Sequence, residues 1–116
     1  MEAMKYKEDN LQQAVARYLD YQNIMWCHVA NERKTTKQAG ARLKKKGVKS
    51  GVPDCLIFNH SKSFTGLALE LKIKPNKPTE NQKKWLLELA VIGWEVNVAY
   101  SFDEAKEIID KYLNLK

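Results

Sequence analysis

The sequence predicts an α/β domain of the α+β kind, a mixed central sheet flanked by helices in the order α-β-β-β-α-β-α. Three observations carry this expectation. Three segments repeat apolar residues at helical spacing, four short apolar runs are rich in strand-forming residues, and the two kinds of segment are interleaved along the chain. At 116 residues, 44% hydrophobic and 29% charged, the chain suits a single stand-alone domain over 1–116 that can bury a core without disulfide or metal staples.

Each element has its own warrant. Leu11, Val15, Tyr18 and Leu19 recur at helical spacing through KEDNLQQAVARYLDYQ, which predicts an amphipathic helix of roughly four turns ended by Asn23. In IMWCHVA, Ile24, Trp26 and His28 alternate with Met25, Cys27 and Val29, as a strand requires. Pro53 introduces the apolar run DCLIF, and the turn residues of NHSKSFT lead into GLALELKI, so these runs predict two antiparallel strands. Thr79 and Gln82 have capping-box spacing and open a helix through ENQKKWLLELAVIG, with Gly93 as its stop. WEVNVAY alternates like a strand. Ser101 and Glu104 repeat the capping-box spacing before a helix carrying Ala105, Ile108, Ile109 and Tyr112 or Leu113.

Several function classes drop out. No run approaches the roughly 18 apolar residues of a membrane span, and the opening MEAMKYKEDN lacks the apolar centre of a secretory signal, so a cytoplasmic protein is expected. Cys27 and Cys55 lie in separate apolar runs and form no CxxC pair, which predicts buried reduced thiols rather than a zinc or disulfide site. No G-x-x-x-x-G-K-[ST] pattern is present for nucleotide phosphates.

The net charge of +6 is concentrated. Arg33, Lys34, Lys37, Arg42, Lys44, Lys45, Lys46 and Lys49 lie in one acid-free stretch, and the rest of the chain has twelve basic against fourteen acidic residues. With Gly40, Gly47, Ser50 and Gly51 among them, the stretch reads as a basic loop suited to a polyanion, with Arg42, Lys44, Lys45, Lys46 and Lys49 as its nucleic-acid contacts. The plainer role for such lysines is solubility.

Directly after this loop comes a pattern of acids. In GLALELKI, strand alternation puts Ala68, Glu70 and Lys72 on one face and Leu67, Leu69 and Leu71 on the other. Asp54 begins the preceding strand, where hairpin pairing could bring it beside Glu70, although alternation leaves the register open. Two adjacent carboxylates repel unless a cation neutralises them, and Mg2+ or Mn2+ prefers such oxygen ligands. Lys72 would then orient or activate a water, or offset charge in the transition state. Alone, a Glu and a Lys on an exposed edge strand would form only a weak ion pair.

GVPD followed by ELK resembles the PD-(D/E)xK nuclease signature, and KKKGVKSGVPD, LALELKI and QKKW together resemble the virus-type replication-repair nuclease family. The resemblance covers nearly the whole chain. It implies a restriction-endonuclease-like core, with Asp54, Glu70 and the Leu71 carbonyl as metal ligands, Lys72 at the attacking water, and Gln82 supporting the catalytic site. Gln82 is also claimed by its capping box. An acid on the first helix completes the metal site in related nucleases; Glu8 matches best, with Asp9 and Glu32 as competitors, and Glu8 also suits the first turn of a helix electrostatically. The resemblance further implies an Mg2+- or Mn2+-dependent endonuclease acting on branched, Holliday-junction-like DNA in replication or repair, a homodimer, and a bacterial or phage-infected host cytoplasm. The alternatives are a non-catalytic nucleic-acid-binding module of the same fold and a ribonuclease.

His28 and His60 have no acid at a telling spacing and are left out of the catalytic set. Trp26, Trp85 and Trp94 could stack bases, but each lies on an apolar face and reads as core.

Overall fold

A computed structural model describes residues 2–30, 36–61 and 63–115. Its elements are α1 (Glu2–Tyr21), β1 (Trp26–His28), α2 (Lys37–Lys45), β2 (Cys55–Ile57), β3 (Leu67–Leu71), α3 (Glu80–Val91), β4 (Glu95–Ala99) and α4 (Phe102–Leu113). The four strands form one sheet in the order β1-β2-β3-β4. β1 and β2 pair antiparallel, as do β2 and β3, whereas β3 and β4 are parallel and are joined by α3 as the crossover. The mixed sheet and the expected hairpin are therefore present.

β3 is an inner strand, and its five residues are all buried. Leu67, Leu69 and Leu71 join Leu11, Val15 and Leu19 of α1 and Ala105, Ile109 and Tyr112 of α4 in the main core. By alternation Ala68 and Glu70 point to the opposite face, yet they are no more exposed than the leucines. The two helices of the core are also tied by polar groups: the Tyr18 hydroxyl donates to Asp110, and Lys106 donates to the second oxygen of the same carboxylate at 2.9 Å. Because Leu69 is fully enclosed, Leu69→Ala should cost about 3 kcal/mol. A urea midpoint unchanged by this substitution would contradict its placement.

Arg33 and Lys34 lie outside the described residues; the rest of the basic stretch departs from the expected loop, and the element order gains a helix. Lys37–Lys45 form α2, whose N-cap Thr36 accepts a hydrogen bond from the Ala39 amide at 3.0 Å. Gly40 lies inside it, at a cost of roughly 1 kcal/mol relative to alanine. The exit explains the helix: Gly47, at φ 102°, allows the Val48 N–H to reach the Leu43 carbonyl and its own N–H to reach that of Lys44, closing a Schellman motif.

Three smaller expectations are also revised. Ser101 caps α4 by accepting from the Glu104 amide, but the Glu104 side chain accepts from the Tyr100 amide instead of closing a reciprocal box. Cys55 is buried, and burial pushes its thiol up to about 12, whereas Cys27 is exposed because β1 is an edge strand and Cys27 faces outward from it. The tryptophans are only half-buried; Trp26 packs against the core, and Trp94 makes an edge-to-face contact with Phe58. Among the described residues no helix is long and apolar enough to cross a membrane.

Candidate active site

Asp54 stands one residue ahead of β2. Pairing of Cys55 with Leu69, continued by one step, sets Asp54 opposite Glu70. The backbone of Asp54 still belongs to the sheet, since its carbonyl accepts from the Val29 N–H at 2.9 Å. Its carboxylate turns across to β3, where Oδ2 accepts from the Leu71 N–H at 2.8 Å. That bond orients the side chain towards Glu70.

Glu70 is 1% exposed. Its Oε2 lies 3.7 Å from the Lys72 ammonium, itself almost enclosed, while the buried Oε1 has no hydrogen-bond partner among the described residues. Burial pushes the Glu70 carboxyl up to about 8; the neighbouring charge of Asp54 adds to the shift, and Lys72 and a backbone hydrogen bond from Asp54 oppose it. One ammonium at 3.7 Å does not offset burial and a second carboxylate.

These features fit a divalent cation. A buried carboxylate oxygen without a donor, facing a second carboxylate, presents the hard oxygen donors that Mg2+ or Mn2+ takes. Among the described residues no three His, Cys, Asp or Glu side chains gather into a ready-made cage. Magnesium in particular needs none, because it commonly uses one or two carboxylates and fills its remaining positions with water and phosphate. The Leu71 carbonyl lies in the chain between Glu70 and Lys72 at the carboxyl end of β3.

The remaining candidates divide. Glu8 of α1 is near enough for its charge to contribute to the upward shift of Glu70, whereas Asp9 is exposed. Glu32 lies outside the described residues. Gln82 completes the cap of α3: its side-chain oxygen accepts from the Thr79 N–H at 2.8 Å, and its own N–H donates back to the Thr79 hydroxyl at 3.2 Å. The carboxamide nitrogen takes no part in this cap and is left for a role at the site. Arg42, Lys44, Lys45, Lys46 and Lys49 are all exposed, on α2 and the turn after it.

A tight packing contact ties the end of this basic region to α3. Gly51, at φ 87°, passes so close to α3 that a Cβ there would lie 2.8 Å from the backbone of Asn81. Asn81 also donates to the Ser50 hydroxyl at 3.0 Å. Ser50 and Gly51, just ahead of Asp54 in the chain, are therefore held against the first turn of α3.

His28 was missed as a neighbour of the site. Its Nδ1 lies 2.9 Å from the Asp54 carbonyl, so the tautomer with a proton on Nδ1 donates to the same backbone unit that carries the carboxylate. The alternation of IMWCHVA puts His28 on a face, but only the pairing of His28 with Cys55 brings it to Asp54.

A family model described as VRR-NUC domain matches residues 6–103. A solved structure described as a "VRR_NUC domain protein" superposes with a TM-score of 0.72 at 26% sequence identity, covering 94% of this chain and 89% of that one. None of the curated proteins compared matches the chain.

Proposed function

The chain belongs to the VRR-NUC domain family, and from this premise we propose that it is an Mg2+- or Mn2+-dependent endonuclease that hydrolyses DNA phosphodiester bonds at branched or otherwise structured sites. The observation that carries the proposal is the pair Asp54 and Glu70, set opposite each other with Lys72 alongside and with a Glu70 oxygen lacking a hydrogen-bond donor. A bound divalent cation supplies charge neutralisation at the phosphate and makes water a better nucleophile at neutral pH.

The protein's own groups do the rest. Asp54 and Glu70 would hold the cation, with the Leu71 carbonyl and Glu8 as further donors. The Leu71 N–H keeps the Asp54 carboxylate aimed across the strands. Lys72, restrained near Glu70, orients the attacking water and offsets negative charge as water adds to phosphorus and a bridging P–O bond breaks. The attacking water releases a proton to solvent and the departing oxygen takes one up from solvent, so the net reaction consumes one water. Gln82 supports the site through its carboxamide nitrogen, and Arg42, Lys44, Lys45, Lys46 and Lys49 hold the phosphate backbone. Pairing into a homodimer belongs to the proposal, and Leu87, Val91 and Ile92, exposed by 67%, 79% and 68%, supply apolar surface for it. A sedimentation mass of one chain at assay concentrations would remove the dimer.

The test is cleavage of labelled linear duplex, flap, splayed-arm, four-way-junction and RNA substrates with magnesium, manganese or chelator. Metal-dependent cutting is expected, strongest on a branched DNA. Salt-sensitive binding without cutting of any substrate by the folded protein would favour the non-catalytic module, and preferred cutting of RNA would favour a ribonuclease.

A further inference from the structure

One face of α3 is turned away from the core and towards the basic segment. Asn81, Lys84 and Trp85 line a groove of about 420 Å3 whose other wall is Lys44, Lys49 and Ser50. That volume is in the range of ligand pockets. Its charge is uneven: three ammonium groups border it, against the single carboxylate of Glu88. Trp85 is half-buried and lines this space instead of joining the main core. An aromatic side chain flanked by lysines in an open groove offers one surface for a base and another for phosphates.

The groove is also positioned relative to the catalytic site. Asp54 is the fourth residue after Ser50, which lines the groove, so an extended chain bounds their Cα separation at about 14 Å. The contacts of Gly51 and Ser50 with Asn81 fix that connection to α3.

We propose that this groove binds an unpaired DNA strand beside the cleavage site, with Trp85 stacking on one base and Lys44, Lys49 and Lys84 neutralising the flanking phosphates. The inference rests on the endonuclease reading and deepens it by naming the feature of a branched substrate that the protein recognises. A paired base is stacked on both faces inside a duplex and offers no free face to an indole; an unpaired base does. The groove thus selects single-stranded arms, while a duplex would make only the phosphate contacts.

The test is binding of a labelled single strand and a labelled duplex in chelator, by the full chain and its Trp85→Leu and Trp85→Phe variants, with melting midpoints measured alongside. Leucine keeps apolar volume without a π-face, and phenylalanine restores a face. Trp85→Leu should weaken single-strand binding about tenfold and leave duplex binding within twofold, with Trp85→Phe recovering most of the loss. Equal weakening on both substrates, or none on the single strand, overturns the proposal. In case the leucine variant does not fold, the unaltered protein is photo-crosslinked to a bromodeoxyuridine-substituted single strand: attachment at Trp85 supports the groove, and attachment only elsewhere overturns it. Because no measurement here uses divalent metal, failure of the hydrolytic chemistry would leave these results unmoved and would be recognised separately.

Discussion

Asp54→Asn is expected to lower the single-turnover cleavage rate at least 100-fold while leaving DNA affinity and the fold unchanged, a loss of the size produced by removing one preorganised electrostatic group. The substitution is nearly isosteric. An asparagine oxygen can still accept from the Leu71 N–H, so the contact that fixes the side chain across β2 and β3 survives. What disappears is one negative charge beside Glu70, and with it half of the carboxylate pair that the proposed cation needs. Removal of a repelling neighbour does not destabilise Glu70, so the melting midpoint should not fall. The basic residues of α2 and its following turn are untouched, so binding in chelator should match that of the unaltered protein. A cleavage rate within tenfold of the unaltered protein would show that Asp54 is not a metal ligand.

The parts of this site differ in how far they could be read from residue order. That Glu70 and Lys72 share a face opposite Leu67, Leu69 and Leu71 follows from the period of a strand alone. That Glu70 is buried does not follow, because the cover over both faces of β3 comes from segments distant in the chain, as does the Asp54 partner whose register the hairpin sets. The cap of α3 was legible because Thr79 and Gln82 satisfy each other within four residues. α2 was not, although its signals were local: Thr36 as N-cap, Gly47 as the left-handed exit, and Leu43 with Val48 across the Schellman bonds. Gly40 and the run of lysines pointed to a loop, and the two ends of the helix outweighed them. Trp85 lies on an apolar face of its helix, which points to core; the packing of the Ser50–Gly51 turn against Asn81 is what turns its face of α3 into a groove wall.

The second large effect belongs to Glu70 and appears without any substrate. In the folded protein this carboxyl is pushed by burial up to about 8, against about 4.5 for an unhindered glutamate. Below pH 4.5 both the folded and unfolded chains carry the proton, and the shift has no effect on stability. Between about 4.5 and 8 the unfolded chain releases the proton while the folded one retains it, so stability falls with rising pH by about 1.4 kcal/mol per unit. Glutamine resembles the protonated acid and does not titrate. Glu70→Gln should therefore nearly match the unaltered metal-free protein at pH 4.5 and exceed it by on the order of a few kcal/mol at pH 8. Lys72 does not reverse the sign, because its attraction for the charged carboxyl is smaller than the opposing effects of burial and of Asp54, and the net shift stays upward. Urea denaturation in chelator at pH 4.5, 6 and 8 reads the difference directly. Magnesium should raise the stability of the unaltered protein at pH 8 and leave the glutamine variant nearly unmoved, since a cation that binds the folded carboxylate opposes its protonation. A stability difference that stays constant across the three pH values would mean that the Glu70 carboxyl titrates alike in the folded and unfolded chains, and the electrostatic basis for a metal at this position would be gone.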